Sequence, residues 1–165
     1  MIAERQKEAA RFFLDRTLGR LAKWLRILGW DAAVDPGVNE LEMRVRCRRE
    51  GRILLTRRRG PDFPGVIRIR SDRVRNQLQE LVERLGTHLL DEDRLLSRCA
   101  VCNIPIEEIS RESVEVRVPE YVFQTQETFH TCPACGRIYW HGTHTGRIQR
   151  WLQRSNGVEE SGEQT

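Results

Sequence analysis

The chain has 165 residues, 32% of them charged and 39% hydrophobic, with a formal net charge of +4. That composition belongs to a globular protein of one ordinary domain or two small ones, and no stretch is apolar for long enough to span a bilayer. The opening residues Met1 to Lys7 lack the apolar core of a secretory signal, so a cytoplasmic address is expected.

Charge is unevenly placed. Only Lys7 and Lys23 are lysines, and all other basic residues are arginine or histidine. Eight arginines fall between Arg44 and Arg59, with Glu50 inside that stretch and Glu42 just before it. Arg68, Arg70, Arg73 and Arg75 follow. Arginine presents a planar fork suited to phosphate, so this imbalance points to a nucleic-acid surface rather than to solvated helix faces alone.

Residues 1–10 are polar and read as a frayed helix or tail. Arg11 to Asp15 reads as a short buried strand ending on an acid. From Thr17 to Gly29, Leu18, Leu21, Ala22, Leu25 and Leu28 share one helical face. Trp30 to Val34 reads as a second strand, followed by the turn Asp35-Pro36-Gly37. Asn39 and Glu42 form a capping-box pair, which predicts a helix from Glu40 to about Glu50 with Gly51 as its stop. Arg52 to Thr56 is the clearest strand, and Val66 to Arg70 is the next. Ser71 or Asp72 can cap a helix through Gly86. This order predicts an α/β domain over residues 11–90 with a small, mostly parallel sheet covered by helices. Cys47 reads as a half-buried helix residue rather than a reactive thiol.

Residues 91–98 read as a linker around Asp91-Glu92-Asp93. Cys99 and Cys102 then form one C-x-x-C pair, and Cys132 and Cys135 a second, with Pro133 inside the turn and Gly136 after it. Two such pairs suit one tetrahedral zinc, and in a reducing compartment they read as a metal site rather than disulfides. The zinc is structural, one per chain. The expected zinc ribbon covers residues 99–147, with short strands at Val114 to Val118, Tyr121 to Phe123 and Arg137 to Trp140. Its apolar core is too small to hold without metal. His141 and His144 read as neighbours of a complete four-sulfur site rather than as ligands. Tyr121, Tyr139 and Trp140 read as fillers of the ribbon's thin core, with base stacking the other use open to them. Residues 146–154 read as a basic amphipathic helix and 155–165 as a disordered tail.

In parallel α/β sheets, functional groups gather at the carboxyl ends of the strands. Asp15, Asp35 and Glu40 all fall at that edge. Acids converging there hold Mg²⁺ or Mn²⁺ through oxygen, and such ions serve phosphodiester hydrolysis. Read without that ion, the aspartates are turn residues and Glu40 is a helix-dipole charge.

The stretch Phe13-Leu14-Asp15-Arg16, Leu18-Gly19-Arg20-Leu21-Ala22, Trp24-Leu25-Arg26 and Leu28-Gly29 resembles the opening of the Mut-seven C-terminal RNase family, a branch of the PIN-like nucleases. Gly51 to Arg57 resembles its central strand. The two cysteine pairs with Asn103, Val118-Pro119 and Gly136 to Trp140 resemble its zinc ribbon. The resemblance covers nearly all of residues 11–144. It implies a PIN-like three-layer α/β/α domain followed by a zinc ribbon, and a metal-dependent ribonuclease activity using Mg²⁺ or Mn²⁺. Carried over by position, Asp15 matches the family's first acid and Glu40 the acid that opens the second helix. The third acid's position holds Arg58, which adds positive charge and supplies no ligand. Asp62 or Asp72 is left to complete the catalytic set. Asp31 matches a recurrent family residue whose place in a strand favours a structural role. Arg16, Arg20, Arg44, Arg48, Arg57, Arg58 and Arg59 are the expected RNA-binding residues. The reading favoured on sequence is a ribonuclease. The alternative is a catalytically degenerate RNA- or ribosome-binding protein, and a protein-docking role for the ribbon ranks last.

Overall fold

A computed structural model of the chain describes residues 10–142. The expected helix over 146–154, the tails and His144 lie outside the described residues. The chain divides into two compact units, Met1–Ile106 and Glu107–Thr165.

In the first unit the elements are β1 (Arg11–Leu14), α1 (Gly19–Ile27), β2 (Asp31–Val34), α2 (Glu40–Glu50), β3 (Ile53–Thr56), β4 (Val66–Arg68) and α3 (Val74–Leu85). The strands form one sheet in the order β2-β1-β3-β4, and all three pairings are parallel. A parallel strand covered on both faces needs a continuous apolar run. The central β1 has one, since Phe12, Phe13 and Leu14 are fully buried. Phe13 and Leu54 cluster with Met43 and Cys47 of α2. Phe12, pointing the other way by strand alternation, meets Trp30 edge-on at 6.0 Å between ring centroids. The leucine face of α1 is buried at Leu21 and Leu25.

The α2 boundaries follow from its caps. Asn39 accepts a hydrogen bond from the Glu42 N–H, and Gly51 closes the helix at φ 63°, a left-handed geometry that favours glycine. The start of α3 is different from the expectation. The N-cap position is Arg73, which makes no side-chain cap. Both expected caps are otherwise engaged: Asp72 pairs with Arg57, and the Ser71 N–H is held by the Glu80 carboxylate at 2.8 Å. The same carboxylate takes the Arg70 N–H at 3.0 Å.

The stretch expected as a linker carries the 3-10 turn Glu92–Arg94, and another, Thr87–Leu90, comes just before it. Leu89, Leu90, Leu95 and Leu96 are buried. Trp30 donates its indole N–H to the Leu89 carbonyl at 2.8 Å, and the Leu96 N–H reaches the Ile27 carbonyl at 2.8 Å. The first cysteine turn lies on the open edge of β2. Asn103, at φ 62°, accepts from the Ala32 N–H at 3.0 Å and donates to Asp31 at 2.8 Å. Arg26 donates to the Ala32 carbonyl at 2.8 Å and to the carbonyls of Ala100 and Val101 at 3.2 and 2.9 Å. At Ala32 the edge strand's N–H is thus satisfied by Asn103, on the turn that carries Cys99 and Cys102, and its carbonyl by Arg26 of α1.

The second unit holds a three-stranded antiparallel sheet, β5 (Glu107–Ile109), β6 (Phe129–Thr131) and β7 (Ile138–Trp140), with α4 (Glu120–Thr125) between β5 and β6. The strands expected at Val114 to Val118 and Tyr121 to Phe123 are not there. Arg111–Val114 is a 3-10 turn and 121–123 lie within α4. The valines explain the error. Val114, Val118 and Val122 are four residues apart and belong to one cluster around Phe129, while Val116 is 94% exposed. A helical spacing was hidden inside an apparent alternation. Among the described residues, no helix is long and apolar enough to cross a membrane.

Candidate active site and metal centre

The four cysteines Cys99, Cys102, Cys132 and Cys135 offer ligand atoms that all lie within 4.8 Å of one another. Four sulfurs around one zinc sit roughly 3.8 Å apart when each Zn–S bond is about 2.3 Å, so this donor set fits a structural metal such as zinc. The Cys102 N–H points at the Cys99 sulfur at 3.2 Å, and Gly136, at φ 68°, supports the second turn. His141 is exposed. Cys47 has no part in this site. Burial, with Glu50 adding to it, pushes its thiol up to about 11, the mark of an inert core residue.

The carboxyl edge of the parallel sheet is built around Asp15, which is 2% exposed. One carboxylate oxygen accepts from the Thr17 N–H at 2.9 Å and from the Thr17 hydroxyl. The other accepts from the Thr56 hydroxyl and the Arg57 N–H, both at 2.7 Å. All four acceptor positions of the carboxylate are used. Burial raises the pKa of Asp15, and the bonds from Thr17, Thr56 and Arg57 outweigh it, so the carboxyl is held below its ordinary value. Thr56 also accepts from the Arg58 N–H at 3.1 Å. Thr56→Val keeps the shape and deletes the hydroxyl. It is expected to cost about 1–3 kcal/mol in chemical denaturation and to raise the Asp15 pKa in a carboxyl NMR titration. An unchanged titration would mean the hydroxyl does not hold the carboxylate.

Glu40, at the start of α2, is paired with Arg68 at 2.9 Å, and the Arg68 side chain is 12% exposed. Arg68 also donates to the carbonyls of Arg58 and Pro61, at 2.5 and 2.8 Å. Asp62 is exposed on the following loop. Asp72 pairs with Arg57 and lines a cleft with Arg16 and Arg20. Among the described residues, these acids form no group of three with closely placed ligand atoms, as the four cysteine sulfurs do. Asp35 is buried, and one oxygen takes the Gly37 and Val38 N–H groups, both at 2.9 Å, as a turn residue does. Arg58 reaches across the edge to the Val38 carbonyl at 3.0 Å.

The expected RNA-binding arginines divide into two places. Arg16, Arg20, Arg57, Arg58 and Arg59 line clefts at the carboxyl edge. Arg44 lies over the Phe63 ring at 3.3 Å from its centroid, and Arg48 lines a small cleft with it, farther along α2. Arg68, Thr17 and Thr56 are not among the site residues that the sequence points to. Arg68 was open to discovery, because it ends a parallel strand and so shares the edge of Asp15. The threonines carry no signal beyond their closeness to the two strand ends.

No curated protein and no solved structure matches the chain. The family model described as the Mut7-C RNAse domain matches residues 10–152. That match spans the parallel sheet, the acid-bearing edge and both cysteine pairs, and the chain belongs to the Mut7-C RNAse domain family.

Proposed function

We propose that this member of a ribonuclease family is an RNA-binding protein whose arginines grip the phosphate backbone at the carboxyl edge of a PIN-like α/β/α unit. One structural zinc per chain is held by Cys99, Cys102, Cys132 and Cys135. The observation that carries this reading is the pair between Glu40 and the nearly buried Arg68. The carboxylate that would face a cation is already neutralised by a guanidinium. Arg58 adds a second positive group where the family resemblance places its third acid. An edge with that balance attracts phosphate more readily than a hydrated divalent ion.

A second reading, favoured by the family match and by Asp15 at the end of β1, is metal-dependent cleavage of RNA. Asp15 and Glu40, with Asp62 or Asp72, would hold Mg²⁺ or Mn²⁺. Such an ion activates water and stabilises the leaving oxygen. For this, Arg68 must release Glu40, and Asp15 must give up at least one of its four hydrogen bonds. The full chain, incubated with labelled RNA and Mn²⁺ beside Asp15→Ala and Arg58→Asp, separates the two. Binding without cleavage by the wild type supports the first reading, and cleavage that Asp15→Ala abolishes supports the second. Cleavage gained only by Arg58→Asp marks an otherwise preserved site that lost one acid. Affinity that stays constant as salt rises would overturn the arginine grip in both.

A further inference from the structure

Two clefts meet at Arg57. One, of about 670 Å³, is lined by Arg16, Arg20, Arg57 and Arg73, with Thr17 and a single acid, Asp72. The other, of about 650 Å³, is lined by Arg57, Arg58, Arg59, Arg68, Arg70 and Arg84, with Asp62. Each is a concave space walled by guanidinium groups, and Arg57 belongs to both. Asp72 occupies Arg57 through an ion pair, although its own side chain is 83% exposed. Gln77 holds the loop that presents Asp72. It is 4% exposed and donates to the Ser71 carbonyl at 2.9 Å.

We propose that the two clefts take successive phosphates of a single-stranded RNA, with Arg57 shared between them, and that Asp72 is a built-in competitor for Arg57 rather than a metal ligand. The proposal rests on the RNA-binding reading above and goes further by giving the strand a path and a gate. An exposed ion pair is weakly held, so an incoming phosphate, which carries charge and bidentate geometry of its own, can replace the Asp72 carboxylate on the guanidinium. Concave clefts of this size suit a strand that can turn its backbone inward. A duplex presents its phosphates on a rigid convex surface.

The test measures binding of a fluorescent 12-nucleotide oligouridylate to the full, zinc-loaded chain across a salt series without added divalent ions. Arg57→Ala is expected to weaken binding about tenfold and to reduce the salt slope by about one. Asp72→Asn is expected to tighten it about threefold to tenfold. Asp93→Asn makes the same change of charge on an exposed turn outside both clefts and should leave affinity within twofold. An RNA duplex of the same length should bind more weakly than the strand. If wild type binds the strand but Asp72→Asn does not bind more tightly than Asp93→Asn, the gate is wrong while the RNA-binding reading stands. If Arg57→Ala binds as wild type does, the shared path is wrong. Equal affinity for duplex and strand would overturn the single-strand assignment. No binding by either wild type or Asp72→Asn would remove both readings.

Discussion

Cys99→Ser is expected to release the metal and to unfold the cysteine-bearing region. Cys99 is fully buried, and its N–H closes the turn onto the Ile104 carbonyl at 2.8 Å. Among the described residues, the apolar cluster beside β5–β7 has Val114, Val122 and Phe129 as its buried members, too little to offset the entropy of ordering that much chain. In small zinc modules, metal binding supplies about 10–16 kcal/mol of apparent folding free energy at neutral pH. Losing one thiolate of four therefore exceeds what such a core can absorb. The effect should also reach the parallel sheet, because Asn103 and the Ala100 and Val101 carbonyls lie on the same turn as Cys99. Release of that turn strips partners from the Ala32 N–H, from Asp31 and from Arg26. Each lost bond costs about 1 kcal/mol. Metal analysis of the purified variant should show less than full stoichiometry, and calorimetry should show the α/β transition lowered by several degrees. Full zinc content with an unchanged melting profile would overturn both steps. In the companion variant Cys132→Ser, full zinc content would instead assign a histidine ligand.

The parallel sheet was legible because its signals are local and redundant. The Phe12-Phe13-Leu14 run, the Asn39 and Gly51 caps and the Ile53 to Thr56 strand each specify their own element, and the structure uses them all. The ribbon was misread where one pattern served two periods. Valines two apart suggested strands, yet those packed around Phe129, with Val114 and Val122 buried and Val118 partly so, are four apart. The capping error at α3 had a different origin. Whether Asp72 caps a helix depends on whether an arginine fifteen residues earlier reaches it, which no local rule supplies.

The candidate site was legible as to place and less so as to state. The strand-end rule identified the edge that holds Asp15, Glu40 and Arg58. It could not give the partners that decide what those groups do. Asp15 is saturated by donors from two separate loops, and Glu40 is matched by an arginine 28 residues away. Such pairings are tertiary facts. They occupy Asp15 and Glu40, two acids that read as metal ligands, with the protein's own donors and cations, whereas one buried oxygen of Asp35 is left without a hydrogen bond.

Asp31→Ala is expected to be the most damaging single substitution in the parallel unit. One Asp31 oxygen accepts from Arg52 and Asn103, both at 2.8 Å, and the other from Arg52 at 3.0 Å and Arg11 at 3.1 Å. The Arg52 fork is thus bidentate. Its side chain is 9% exposed, and it also holds Glu50 at 2.7 Å and the Phe12 carbonyl at 3.0 Å. Removing Asp31 leaves a nearly buried guanidinium short of its main partner, which costs about 3–5 kcal/mol. Burial alone would raise the Asp31 pKa, but the bonds from Arg52, Asn103 and Arg11 bring it down to about 2. A carboxyl whose folded pKa lies below its unfolded value of about 3.9 contributes stability above that value. That contribution is lost as pH falls toward the folded pKa. Wild-type stability should therefore decline between about pH 4 and pH 2, and Asp31→Asn should flatten that limb while Asp15 preserves part of it. Urea unfolding at a series of pH values checks both. A cost below about 1 kcal/mol for Asp31→Ala, or an acid limb unchanged in Asp31→Asn, would mean that the cluster joining β2, β3 and the first cysteine turn is decorative. Asn103→Ala in the same series should be non-additive with Asp31→Ala, since both act on one bonded pair.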